Sequence, residues 1–264
     1  NQLTGSRQHV GNYPGVTVEK KEGKVSWNGY GIEVTDLPGT YSLSAYSEDE
    51  LVARNFVIKE KPDVIIHVVD ASNLERNLYL TTQIMELKVP MIIILNRIDM
   101  AAKQNKVIDV EILSAQLGCP VIEAVATKKD DIEKIKDKLI PFIGKVAPSS
   151  RRIDFPNEIN EVISKWTDSL KNINPADSPD PAWAAIKILE KDHRLTELAL
   201  SKKLLAPEEI EAEIAGIEKL LHESSDIVIA DYRYGFIQGI TRKCVIRKSD
   251  RKEITDLLDN ILLN

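Results

Sequence analysis

The residues most able to do chemistry fall in three short runs: Gly11-Asn12-Tyr13-Pro14-Gly15-Val16-Thr17, Asp36-Leu37-Pro38-Gly39-Thr40 and Asn96-Arg97-Ile98-Asp99. Ile32-Glu33-Val34-Thr35 alternates like a half-buried strand and runs into Asp36. Its carboxylate is thereby placed at a strand's carboxyl end, where α/β sheets put their ligands. Pro38 and Gly39 stop the strand. At such a position an Asp can hold Mg2+ through water, and a Gly N–H with no side chain in the way can approach a terminal phosphate. Alone, the run also reads as an ordinary Pro-Gly turn capped by Asp; its companions favour the phosphate reading.

Asn96 follows the apolar run Met91-Ile92-Ile93-Ile94-Leu95, which predicts a buried parallel strand with the same rim as Asp36. Guanine presents a ring N–H and an exocyclic amine side by side, and one carboxylate, Asp99, can accept both. Adenine would leave that carboxylate desolvated and unpaired, at a cost of roughly 1 to 3 kcal/mol or more. Asn96 would tie the loop to its neighbours, Ile98 lies between the two, and Arg97 stands where such sites usually carry Lys; its guanidinium can also stack on a base. Asn96 and Asp99 could instead simply cap the next helix. Residues 5 to 17 are polar and Gly-rich and are expected to be a mobile segment with no element of its own. Thr17 within it is the candidate Mg2+ ligand that engages when the terminal phosphate is present and releases after hydrolysis. A hairpin is predicted from Val16 to Ser26, through Asn28-Gly29, to Tyr30–Thr35.

These runs identify a family. The segment Gly11 to Gly23, with Pro14-Gly15-Val16-Thr17-Val18-Glu19 inside it, and Asp36-Leu37-Pro38-Gly39-Thr40-Tyr41-Ser42-Leu43 resemble the GTP-binding domain of FeoB, the prokaryotic ferrous-iron transport proteins. Tyr234-Gly235-Phe236-Ile237 resembles the end of the FeoB helical domain, so the resemblance covers nearly the whole chain. It implies GTP contacts at Gly15, Val16, Thr17, Val18, Glu19, Asp36, Leu37, Pro38, Gly39, Asn96, Arg97, Ile98, Asp99, Val125, Ala126 and Thr127. The metal ligands would be Thr17 and Asp36, and the catalytic contributions would come from Thr17 and Gly39. Val125-Ala126-Thr127 occupies the place of a second guanine contact, usually a Ser-Ala pair; Val125 replaces the Ser, which leaves the backbone of Ala126. Thr40 stands where many GTPases carry a water-orienting Gln. The family implies that K+ assists hydrolysis instead, held in part by backbone carbonyls from Asn12 to Gly15.

A phosphate loop of the form G-x-x-x-x-G-K-[ST], required by GTPases of this class, occurs nowhere in the sequence. Asn1-Gln2-Leu3-Thr4-Gly5 resembles the end of the family's first helix. A start truncated after the first strand and loop is therefore expected, with the chain inactive in that form.

The remaining elements must position these residues. The expected fold is α/β, a P-loop-type GTPase sheet with flanking helices lacking its first strand and phosphate loop, followed by a small all-α domain. The divisions fall at 1–147, 148–248 and a helical connector at 249–264. Val64 to Asp70 predicts a buried strand with His67 as a satisfied core histidine. Glu48, Asp49 and Glu50 predict a solvated helix start. Helices are expected over Leu74–Leu87, around Val110–Leu117, and at Ile132, Ile135, Leu139 and Phe142, with a last strand at Pro120–Glu123. From Val146 to Arg152 the composition shifts to a linker. Beyond it, Ile159, Val162, Ile163, Trp166 and Leu170, and Ile210, Ile214, Ile217 and Leu221, recur at helical spacing, punctuated by Pro175, Pro179, Pro181 and Pro207. This predicts a separate helical bundle, which in the family resembles a GDP-dissociation inhibitor; a plain helical spacer is the other reading.

The 264 residues carry 35 Lys plus Arg against 41 acidic residues, a net charge of -6, so a nucleic-acid footprint is not expected. Cys119 and Cys244 match no metal spacing and read as inert thiols in a reducing compartment. No signal peptide or apolar run of membrane-spanning length is visible, so the chain is expected to be soluble. Arg242, Lys243, Arg247, Lys248, Arg251 and Lys252 precede the amphipathic Ile254–Leu263. That cluster suits the cytoplasmic side of a membrane entry or a solvated helix face. By resemblance, a membrane domain lies beyond Asn264, at the cytoplasmic face of a prokaryotic inner membrane. Small accessory Feo proteins or further copies of the chain are the implied partners. A non-hydrolysing guanine-nucleotide sensor and a stand-alone cation-dependent GTPase remain as alternatives.

Overall fold

The computed structural model describes residues 9–13, 18–27, 29–44, 47–124, 129–142, 144–174, 178 and 180–247. Three strands open the chain, β1 (His9–Asn12), β2 (Glu19–Trp27) and β3 (Tyr30–Asp36), antiparallel in the order β1-β2-β3. The turn between β2 and β3 falls where expected. Trp27 pairs with Tyr30, and Gly29 takes φ +84°, a left-handed conformation open to glycine because it has no Cβ. The expectation for residues 5 to 17 is corrected in part: His9–Asn12 is a strand. The open edge of β2 supplies a hydrogen-bond ladder that needs no apolar side chains, and Tyr13 N–H closes it onto the Val18 carbonyl at 2.9 Å.

An α/β alternation follows. Helix α1 (Glu48–Glu60) leads to β4 (Ile65–Asp70), and α2 (Leu74–Glu86) to β5 (Met91–Asn96). Then α3 (Ile98–Lys103), β6 (Lys106–Ile108) and α4 (Val110–Leu117) lead to β7 (Val121–Glu123), and α5 (Lys129–Leu139) closes the unit. Strands β4, β5 and β7 form one parallel sheet in that order. Local chemistry sets the ends of the helices. The Ser47 hydroxyl accepts from Glu50 N–H, Asp109 accepts from Ile112 N–H, and Gly118 ends α4 at φ +66°. Ser149 lies against Gly118 so closely that an added Cβ would come within 2.9 Å of its hydroxyl. Among the described residues, β3 pairs only with β2, and β4 only with β5.

The apolar run of β5 covers both faces of the parallel sheet. Met91, Ile93 and Leu95 enter the main core with α1 and α2; Ile92 and Ile94 meet Trp27, Ile122, Ile135 and Leu139 on the other side. The side chain of Ile132 is outside the description. Strand β4 is buried less completely than expected, because Val68 is 53% exposed on the face that α2 does not cover. His67 fits its expected role: buried, with Nδ1 3.1 Å from the Thr81 hydroxyl.

The irregular stretch from 146 to 156 leads into α6 (Asn157–Ser169), α7 (Pro181–Leu189), α8 (His193–Ser201), α9 (Pro207–Leu221), α10 (Ser225–Cys244) and a final β8 (Val245–Arg247). Pro181 and Pro207 occupy first helical positions, where a missing N–H costs nothing. Pro175, Pro179 and residues 248–264, including the expected connector, lie outside the described residues. The expected helical unit is present, and its apolar residues run on into the core of the sheet. Trp166, Trp183, Ile229 and Ile237 share one apolar cluster with Val57, Leu78 and Ile93. Two short antiparallel strands, β6 and β8, were not anticipated.

Two buried charge clusters fasten the helical layer to α1 and α2. Arg54 of α1 pairs with Asp192, which also caps α8 through Leu195 N–H. Arg233 of α10 is held by Glu86 of α2 at 2.9 and 2.8 Å and by Glu190, which also takes Lys187 at 2.8 Å. Burial raises the Glu190 carboxyl, but the Arg233 and Lys187 charges and hydrogen bonds outweigh it and hold the group down at about 2. Replacing Arg233 with Met would strand the Glu86 carboxylate and leave Glu190 with Lys187 alone, and chemical denaturation at neutral pH should show a loss of roughly 3 to 5 kcal/mol. Glu190 stabilises the wild type above its ordinary range and loses that contribution as pH falls toward 2. The variant's deficit should therefore shrink on acidification.

Burial lowers His67 to about 4. The folded state then binds fewer protons than the unfolded chain between about pH 6.5 and 4, so stability falls as pH drops through that window, by roughly 3 kcal/mol. A His67→Gln variant, followed by denaturation across the same pH range, should lack this segment of the pH dependence.

Candidate functional site

Asp36 is the last residue of β3, opposite Lys21, and its side chain is exposed. Its backbone carbonyl accepts from the Tyr13 hydroxyl at 3.0 Å. Burial, then the charges of Asp36 and Glu22, push that hydroxyl up to about 12, so it stays a donor. Leu37 packs against the main core and anchors the loop. Past Pro38, Gly39 has no positive φ, and an added Cβ would meet nothing within 4 Å. Nothing in the described structure therefore requires glycine there.

The following residues are strapped down. The Thr40 hydroxyl donates to the Ser42 carbonyl at 2.6 Å, the Ser42 hydroxyl donates to Glu50 at 2.6 Å, and Leu43 N–H donates to the buried Gln83 side chain. The Arg76 guanidinium lies 3.8 Å from the centre of the Tyr41 ring. Glu48, Asp49 and Glu50 form the acidic first turn of α1, as expected for a helix start.

At the other run, β4 and β5 are parallel with Asp70 opposite Asn96, so both carboxyl ends reach the same rim. Ala124 N–H donates to the Leu95 carbonyl at 2.9 Å and brings the exit of β7 beside them. Asn96 Oδ1 accepts from Arg97 N–H at 2.8 Å. Arg97 itself takes φ +60°, uncommon for a residue with a Cβ, and its guanidinium reaches Asp70 at 2.9 Å. Ile98 turns into the core, while Asp99, in the first turn of α3, is exposed. Arg97 is the N-cap of α3 and makes no side-chain cap bond, and Asp99 lies within the helix's first turn.

Asp70 is the residue the sequence undervalued. Burial raises its carboxyl, but the Ser72 hydroxyl and N–H, then Arg97, pull it below the usual carboxylate range overall. It fixes both the turn into α2 and the Arg97 side chain. The available signal was that Asp70 ends the mostly apolar run 64–69 much as Asn96 ends the run 91–95.

Val18 precedes β2 and Glu19 begins it. Gly15, Val16, Thr17, Val125, Ala126 and Thr127 lie outside the described residues. Asn96, Arg97, Ile98 and Asp99 share one loop, whereas Asp36 to Gly39 extend from the antiparallel sheet. Two cavities lie elsewhere: about 280 Å³ between α6 and α9, and about 550 Å³ lined by Ser44, Tyr79, Asp192 and Arg194. Among the described residues, no group of three or more His, Cys, Asp or Glu side chains could hold a metal ion.

The model of the ferrous iron transport protein B family matches residues 1–139, and that of the FeoB cytosolic helical domain matches residues 155–246. The chain belongs to the FeoB family. The Fe(2+) transporter FeoB of Escherichia coli K12 is 38% identical over 276 residues, covering 100% of this chain and 34% of that relative. A Porphyromonas gingivalis relative, an Fe(2+) transport protein A/Fe(2+) transporter FeoB fusion protein, is 36% identical over 99% of this chain and 32% of its own length. The chain thus spans about a third of the length of these FeoB relatives. The cytosolic domain of T. maritima FeoB in a GDP form superposes with a TM-score of 0.78 at 30% identity, covering 93% of this chain and 91% of that one. A GDP-bound point mutant of the S. thermophilus FeoB G-domain gives 0.81 at 36% identity, covering 93% of each chain. The parallel sheet with flanking helices, followed by helices α6 to α10, is the FeoB cytosolic arrangement.

Losing the Asp70 side chain removes a cap as well as an ion pair, whereas losing Arg97 removes an exposed pair alone. Urea denaturation should show Asp70→Ala costing about 1 to 2 kcal/mol and Arg97→Ala under about 1 kcal/mol. Equal losses would contradict the cap assignment.

Proposed function

We propose that this chain is the GTP-binding and GTP-hydrolysing module of a ferrous-iron transporter. It would lie at the cytoplasmic face of a prokaryotic inner membrane and regulate Fe2+ uptake by a membrane domain. The observation that carries the reading is the β5 exit, where Asn96 and Arg97 fold the loop while Asp99 stays exposed at the rim of a parallel sheet. A carboxylate so placed suits the paired donors of guanine. Gly39, which no internal contact requires, supports a close approach of phosphate after Asp36. The GDP-bound state of T. maritima and S. thermophilus relatives supports the same ligand class.

In this reading Gly15, Val16, Thr17, Val18, Glu19 and residues 36–39 line the phosphates, Asn96 to Asp99 with Val125, Ala126 and Thr127 line the base, and Thr17 and Gly39 act on the terminal phosphate. Mg2+ takes one or two protein oxygens and completes its shell with phosphate and water, so an exposed Asp36 fits as one holder beside Thr17. When bound, the ion neutralises phosphate charge. K+, held near Asn12 to Gly15, would add to that, since Thr40 has no amide with which to orient water. Residues 1–147 would form the nucleotide unit, 148–248 the helical regulator that slows GDP release, and 249–264 the connector to the membrane domain. The Porphyromonas fusion supports a small accessory Feo protein as partner, beside further copies of the chain.

A guanine-nucleotide sensor without hydrolysis is favoured by one observation: Thr40 stands where many GTPases carry a water-orienting Gln. Calorimetry on the full-length gene product should show GDP binding and no comparable ADP binding. Asp99→Asn should weaken GDP about tenfold or more, as expected for losing charge-assisted bonds, and improve xanthosine diphosphate, which offers a carbonyl in place of the amine. Equal affinity for GDP and ADP would overturn the guanine reading. GDP selectivity without phosphate release from GTP would select the sensor.

A further inference from the structure

We propose that the β6–β8 ribbon and the basic end of α10 form a surface that docks on an anionic lipid bilayer. Val107 and Ile246 are register partners, so their side chains share one face of the ribbon. They are 41% and 47% exposed, and Ile112 in the first turn of α4 is 37% exposed. The ribbon's other face is already used, since Ile108 and Val245 pack against the main core. Asp109 N–H donates to the Cys244 carbonyl at 2.7 Å, which fixes the start of α4 against the end of α10. The apolar pair Val107 and Ile246 therefore sits on a braced platform.

Cations surround it. Lys103 ends α3, and Arg242 and the Gln116-bonded Lys243 lie in the last turn of α10. Arg247 stands opposite Lys106 on the ribbon's other face, where the Lys106 amine turns to the Ser72 carbonyl. Of the acids on the adjoining elements, Asp109 is engaged as the α4 cap and Glu75 accepts from the Thr241 hydroxyl at 3.2 Å, leaving Glu111 beside the cap, Asp99 at the far end of α3, and Asp226 and Asp231 in the first half of α10. Residues 242–247 carry three basic side chains and no acidic one, in a chain whose net charge is -6. This end of an otherwise acidic chain is thus matched to an anionic surface. Apolar side chains at headgroup depth with cations on the lipid phosphates is the arrangement that interfacial binding uses. The inference does not depend on nucleotide binding.

The test is co-sedimentation of the 264-residue chain, without nucleotide, with vesicles of phosphatidylcholine alone or mixed with phosphatidylglycerol. Binding should require the anionic lipid and weaken with salt. Val107→Ser with Ile246→Ser should reduce the partition coefficient about tenfold, and Arg242→Glu with Lys243→Glu at least as much, with thermal midpoints unchanged because all four side chains are surface groups. Three results would overturn the proposal: no binding to anionic vesicles, binding unaffected by the Val107/Ile246 pair, or a peptide of residues 242–264 binding as tightly as the whole chain. A concentration-dependent dimer abolished by the same apolar pair would assign the surface to a second copy and overturn it equally.

Discussion

The parallel register of β4 against β5 is the constraint from which the candidate site follows. Because side chains alternate along a strand, sliding β4 by one residue would turn Val69 out of the core and move Asp70 away from Asn96. The register holds because Met91, Ile93 and Leu95 fill one core while Ile92 and Ile94 fill the other. Packing on two faces therefore decides where the polar loop begins. Arg97 can adopt its left-handed backbone and reach Asp70 only because the two strand ends finish level.

The same sheet explains why the helical layer is not a loose appendage. Helix α2 contributes Leu78 to the main core and Glu86 to the Arg233 cluster, so one helix is both a sheet cover and an anchor for α10. Helix α1 does likewise through Val57 and Arg54. Buried ion pairs of this kind add little net stability over apolar packing, but losing one partner is costly. They fix which helix meets which. The loop that follows Gly39 is strapped to these two helices through Glu50 and Gln83, so any rearrangement of that loop is felt at the helical layer.

Much of this was legible in the sequence because periodicity is local. The apolar run 91–95 and the helical spacing of Ile159, Val162 and Trp166 each announce their element. His67 read correctly as a core residue because its neighbours along the strand are apolar. Other features depend on distant partners. Strand β1 is polar and exists through pairing with β2. Strands β6 and β8, three residues each, come from the middle and the late part of the chain and carry no periodic signal. Arg54 and Arg233 look like solvated helix residues until Asp192, Glu86 and Glu190 are brought to them. In the candidate site, Asn96, Asp99 and Asp36 could be named from residue type and strand ends, whereas the part played by Asp70 required the register.

The central claim is that the loops after β3 and β5 serve one guanine nucleotide. Amide hydrogen exchange of the full-length gene product, with and without GDP, tests it most directly. The account predicts that GDP protects the peptides spanning residues 36–43 and 96–99 together, with ADP protecting neither. Protection of only one of the two, or protection confined to the cavity lined by Ser44, Tyr79, Asp192 and Arg194, would contradict it.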